Sequence, residues 1–147
     1  MNTPEPSPTS SLDLMRWVGW AQRKAGEDWM RERELSFEQS FVLGYLRLNP
    51  GAIQRDIAEI TRTSAASVSS LLTGLERRGL VERRTENGDS RSKRIHPTPA
   101  GVELIAGFDT AMAGVSETIL APLDQAERAT LQTLLEKITA ELPQPTR

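Results

Sequence analysis

The chain has 147 residues, 37% of them hydrophobic, which is one ordinary domain with enough apolar material for a core. It has no cysteine and one histidine, His96, so disulfides, thiol redox chemistry, cysteine-ligated zinc and a multi-histidine metal site within one chain are excluded, and neither metal nor cofactor is expected. The net charge of −2 hides an uneven distribution: between positions 77 and 94, seven basic residues (Arg77, Arg78, Arg83, Arg84, Arg91, Lys93, Arg94) face three acidic ones (Glu82, Glu86, Asp89). A concentrated basic segment in an acidic chain is the footprint of an anionic partner.

The N-terminal stretch MNTPEPSPTSS lacks a cationic region followed by an apolar one, and no run of about 18 apolar residues occurs anywhere. A cytoplasmic protein without membrane contact is expected, with residues 1–11 as a disordered tail. Residues 12–33 then read as a helix, because Leu14, Val18, Ala21 and Ala25 recur at intervals of three and four. Trp17, Trp20 and Trp29 all lie on it.

Ser36 and Gln39 fit a capping box and open a second helix through Phe41, Val42, Tyr45 and Leu46. Asn49-Pro50-Gly51 ends it. A short helix is expected over 53–60 with Ile53, Ile57 and Ile60 inward. After the polar turn Thr61–Ser64, a fourth helix runs to about Arg78, with Val68, Leu71, Leu72 and Leu75 on one face. Gly79 suits the left-handed position that closes it. Two helices joined by a short turn are a helix-turn-helix candidate.

Val81–Thr85, the turn signal Asn87-Gly88 and the returning Arg94–Pro97 predict a two-stranded ribbon, with Pro97 on an edge strand. Thr98-Pro99 opens a long helix, apolar over a wide arc through Val102, Ile105, Phe108, Met112, Val115 and Ile119. A last helix follows Pro122 and Asp124, striped by Leu131, Leu134, Leu135, Ile138 and Leu142. These terminal helices carry more apolar surface than a small winged core covers, so a second copy of the chain is expected against them.

The stretch DIAEITRTSAASVSSLLTGLERRGLVERRTENGDSRSKRIHPTPAG, residues 56–101, resembles the MarR (multiple antibiotic resistance regulator) family of winged-helix transcription factors. The resemblance is carried by the SVSSLL helix, LERRGLV, the D-x-R wing (Asp89-Ser90-Arg91) and the T-P-x-G helix start (Thr98 to Gly101). It implies a homodimer joined through helices of both chain ends, binding to a palindromic operator on double-stranded DNA, action as a repressor, and release by a small, often aromatic ligand. The implied architecture is mainly α with a small two-stranded β-wing: a winged helix-turn-helix core over 36–98 and dimerisation helices over 12–33 and 99–142. The family often places leucine and glycine between its two helices, where Thr61 and Arg62 stand here, and a long side chain at the position of Ser70.

On the 65–78 helix, the face opposite the apolar stripe carries Ala66, Ser70, Thr73 and Arg77, flanked by Ser67 and Ser69. Small side chains let a helix backbone sit deep in a major groove. The expected DNA-binding set is Ser64, Ala66, Ser67, Ser70, Thr73, Arg77, Asp89, Arg91 and Lys93. Arg91 is expected to enter the minor groove, with Asp89 either orienting it or holding the loop. Lys93, Arg94, Arg83 and Arg84 are candidates to neutralise phosphates, although strand alternation points Arg83 and Arg84 to opposite faces. Arg16, Trp17, Trp20 and Tyr45 are candidates for a small-molecule effector site. The alternative reading is a winged-helix protein-interaction module without specific DNA binding. No G-x-S-x-G, H-E-x-x-H, P-loop or paired-carboxylate motif favours an enzyme.

Overall fold

A computed structural model describes residues 10–85 and 93–145. Its elements in chain order are α1 (Ser11–Glu32), α2 (Phe37–Leu48), β1 (Ala52–Ile53), α3 (Gln54–Thr61), α4 (Ala65–Arg77), β2 (Val81–Thr85), β3 (Lys93–Pro97), α5 (Pro99–Leu120) and α6 (Gln125–Thr139). The chain divides between Met112 and Ala113 into two compact units.

The first unit is built around the helix-turn-helix. Val42, Leu43, Leu46, Ile57, Leu72 and Leu75 have no exposed surface, and Val68, Val81 and Ile95 are nearly as deep. The apolar faces of α2, α3 and α4 therefore converge on the inward residues of β2 and β3, as helical and strand periodicities require. Caps set the boundaries. The Ser10 hydroxyl accepts from the Asp13 amide, so α1 starts at Ser11, inside the segment expected as a tail; the rest of that expectation, over 1–9, falls outside the described residues. The capping box at Ser36 and Gln39 forms with two 3.0 Å bonds. At the far end of α1, Trp29 is buried, meets Phe108 of α5 edge-on at 5.2 Å, and carries the Arg33 guanidinium 4.1 Å above its ring.

The sheet departs from expectation. It is three-stranded in the order β1-β3-β2, all antiparallel, because Ala52 and Ile53 pair with Ile95 and Arg94. Ile53 therefore belongs to a strand rather than to the helix predicted over 53–60, whose Ile57 is the residue that is buried. Strand β3 is central, not an edge. Pro97 is tolerated there because β1 is only two residues long and ends its pairing at Ile95, so no ladder donor is missed.

Between α3 and α4 the Thr61 hydroxyl donates to the Ile57 carbonyl at 2.7 Å, and Arg62 adopts a left-handed conformation with φ of 54°. A non-glycine residue is strained there. Replacing Arg62 with glycine is expected to raise stability by about 0.5–1 kcal/mol, read as a higher melting temperature. A lower melting temperature would mean that the arginine stem packs on the turn and outweighs the strain.

The second unit holds the end of α5 and all of α6. Asp124 and Glu127 form a reciprocal capping box at 3.0 and 2.8 Å, and Arg128 pairs with Glu117 at 3.0 Å. No residue of α6 is buried, and Leu134, Leu135, Ile138 and Leu142 stand exposed. In the first unit, Leu12, Leu14, Met15, Trp17, Val18 and Trp20 are likewise exposed on the N-terminal half of α1. No single helix among the described residues is long and apolar enough to cross a membrane.

Candidate nucleic-acid interface

Helix α4 begins where Ser64 caps it. The Ser64 hydroxyl accepts from the Ser67 amide at 3.1 Å and donates to the Ser67 hydroxyl at 3.0 Å. The Gln54 side chain donates to the Ala65 carbonyl at 2.9 Å and ties the start of α3 to the start of α4. Replacing Ser64 with alanine is expected to cost about 1 kcal/mol, because an orphan helical amide loses its acceptor. Thermal melting checks this; an unchanged midpoint would show that water replaces the cap without loss.

Ala66, Ser67, Ser70 and Arg77 are exposed, as the wheel of this helix predicts. Thr73 departs from that set. It is half-buried, its hydroxyl donates to the Ser69 carbonyl at 2.9 Å, and the same oxygen lies 3.3 Å from an Arg83 guanidinium nitrogen. A threonine bonded to the carbonyl four residues back has no free proton to offer a base. The outward polar face is therefore narrower than the sequence implies.

The basic segment divides in the same way. Arg83 lies across from buried Ile95 on the face of β2 that meets α4, and it donates to the Ser69 carbonyl at 3.0 Å. It is not among the outward cations, contrary to its candidacy as a phosphate contact. Arg84, on the opposite face, pairs with Glu82, and Arg94 donates to the Gly51 carbonyl at 3.2 Å. Arg78 reaches back to the α1–α2 turn and donates to the Glu34 and Arg33 carbonyls, both at 2.8 Å. Arg77 and Lys93 are exposed and make no ion pair among the described residues. The ribbon tip, with Asn87, Gly88, Asp89 and Arg91, lies outside the described residues.

The effector candidates are not assembled by a single chain. Trp17 and Trp20 are 57% and 52% exposed, and Arg16 pairs with nearby Asp13 at 3.0 Å on the same solvent-facing stretch of α1. Tyr45 instead packs on the edge of the core from α2. Among the described residues, no hydrogen bond, ion pair or ring contact joins Tyr45 to the other three. No group of three or more His, Cys, Asp or Glu side chains among the described residues is arranged to hold a metal ion.

Sequence reasoning did not single out Glu76 or Gln54, and it placed Ser69 only as a flank of the outward face, not as the carbonyl that accepts from Arg83. The signal for Arg83 was present: Val81 is apolar and inward, so strand alternation carries Arg83 to the same face.

A two-helix turn unit followed by a ribbon and flanked by long terminal helices defines a winged-helix regulator. The MarR family model matches residues 34–92. A solved structure assigned as a MarR family transcriptional regulator from Clostridium acetobutylicum is 30% identical, covers 88% of this chain and 95% of its own, and superposes with a TM-score of 0.77. A mutant of MepR from Staphylococcus aureus bound to an oligodeoxyribonucleotide is 26% identical, covers 92% of this chain and 100% of its own, and reaches a TM-score of 0.82. The MepR–DNA complex is 27% identical over 88% of this chain and 98% of its own, with a TM-score of 0.76. A Thauera aromatica protein assigned as a transcriptional regulator for the hcr operon is 33% identical over 97 residues, or 66% of this chain, and the match spans 58% of that relative's length. This chain belongs to the MarR family. Its function class is transcriptional regulation rather than catalysis.

Proposed function

We propose that the protein is a homodimeric, cytoplasmic repressor that binds a palindromic operator on double-stranded DNA and is released by a small ligand, aromatic members being favoured by the exposed Trp17 and Trp20. The observation that carries DNA binding is the exposed, short-side-chain face on α4 (Ala66, Ser67, Ser70) together with the exposed cations Arg77 at the end of that helix and Lys93 on β3. The likeness to MepR structures that hold DNA supports it. In this reading α4 enters the major groove, Ser64 and Ser67 lie at its leading end, Ser70 touches base edges, and Arg77 and Lys93 neutralise phosphates. Arg91 enters the minor groove with Asp89 orienting it.

Dimerisation is supported by the apolar surface left on α1 and, separately, on α6. Exposed tryptophans and leucines at helical spacing are what an obligate interface covers. Arg16, Trp17, Trp20 and Tyr45 remain the candidates for the effector, in a pocket that the second copy completes. Nothing in the reading requires a cofactor.

Replacing Arg91 with alanine tests the wing. Operator affinity is expected to fall about tenfold or more, with dimer mass by sedimentation and melting temperature unchanged. Unchanged affinity would remove the wing from the mechanism.

A further inference from the structure

Among the described residues, Arg83 is the one arginine of the ribbon that the fold turns toward α4 and anchors there. Its Nη2 donates to the Ser69 carbonyl at 3.0 Å and to Thr73 Oγ1 at 3.3 Å, and its Nε lies 3.6 Å from Glu76 Oε2. That last distance is an ion-pair contact, too long for a hydrogen bond, and the buried Nε has no other partner. Ser69, Thr73 and Glu76 stand at intervals of four and three, so they form one stripe along α4. Ala66, Ser70 and Arg77 form the neighbouring stripe, which is exposed.

We infer that Arg83 is a positioning residue for sequence recognition: it locks the rotation of α4 against the ribbon and so decides how Ala66 and Ser70 meet the bases. The inference rests on the DNA-binding reading above. The physical reason is the shortness of the outward side chains. A long arginine or glutamine corrects for a few degrees of helix rotation by changing rotamer. Alanine and serine have no such reach, so the backbone itself must be placed. A guanidinium offers several donors in a rigid plane and can hold a carbonyl and a hydroxyl together, which suits it to fix a rotation rather than merely attract charge. Because α4 turns 100° per residue as a rigid unit, fixing the Ser69–Thr73–Glu76 stripe fixes its neighbour.

The test compares wild type, Arg83→Met, Arg83→Lys and Thr73→Val, each on a selected operator and on a scrambled duplex, over a salt series well below the melting temperature. Positioning predicts that Arg83→Met loses specific affinity about ten- to a hundredfold, the effect of one mismatched base pair, while scrambled-duplex binding and the salt slope stay as in wild type. Thr73→Val, which removes no charge, falls in the same direction by less. Arg83→Lys recovers part of the loss, since an ammonium still reaches the Ser69 carbonyl. A loss on both duplexes with a slope reduced by about 0.9 would make Arg83 a phosphate contact and overturn the inference. Equal affinities in all four proteins would overturn it as well.

Amide hydrogen exchange on the free proteins separates this from failure of the DNA reading. If wild type shows no preference between duplexes, DNA recognition fails by itself. The lock is then judged on exchange at residues 69–77, which positioning predicts to accelerate in Arg83→Met relative to 42–46. Equal exchange in that case ends the inference too.

Discussion

Gly101→Ala is expected to destabilise the protein by about 3 kcal/mol or more, the largest effect of any single methyl group considered. Gly101 lies in the first turn of α5 and is buried. A Cβ there would stand 2.1 Å from the Leu80 carbonyl oxygen and 3.0 Å from its carbon. Both are backbone atoms, so no rotamer change relieves the clash. The crowding follows from how the helix is docked. Thr98 donates from its hydroxyl to the Gly79 carbonyl at 2.6 Å and from its amide to the Leu80 carbonyl at 3.0 Å, and the same hydroxyl caps the Gly101 amide at 3.1 Å. The end of the recognition helix and the start of α5 are thus stapled at one point. To admit a methyl group, α5 must lift and break the staple. Chemical denaturation measures the loss directly; a change under 1 kcal/mol would show that α5 shifts without resistance.

Leu72→Ala is expected to cost about 3–4 kcal/mol. Leu72 is wholly buried on the inner face of α4, in one cluster with Leu43, Leu46, Ile57 and Ile95. Its removal leaves a cavity where helices and sheet meet, and such a core closes only in part. Ser70, two residues away, points outward, so DNA affinity measured on the fraction still folded should change little. A large affinity loss in fully folded Leu72→Ala would mean that packing under α4, and not only the Arg83 anchor, sets its rotation.

Much of this fold is legible in the sequence. Intervals of three and four place the buried residues of α2 and α4, and the capping residues Ser36, Ser64 and Asp124 mark helix starts because their oxygens are suited to orphan amides. Gly79, with φ of 71°, ends α4, and the Leu80 amide turns back to the Leu75 carbonyl at 3.0 Å. The T-P-x-G pattern is readable as a helix start, but its glycine gains meaning only once Leu80 is seen beside it. Strand β1 is invisible because two residues carry no periodicity. Thr73 is misplaced by the wheel, which knows the direction of a side chain but not that its hydroxyl binds the preceding turn. Trp17 and Trp20 are placed on α1 by the helical spacing, but a spacing that also fits a core leaves their role open, and both side chains are exposed.

The measurement that tests the central claim most directly is selection of bound duplexes from a random pool, followed by salt titration of the selected sequence against a scrambled control. A dimer with two recognition helices predicts an inverted repeat whose half-sites are centred about 10–10.5 bp apart or a multiple of that, and a steep fall of affinity with salt. Weak binding with no enriched sequence would contradict the claim and leave a winged-helix module that engages proteins rather than an operator.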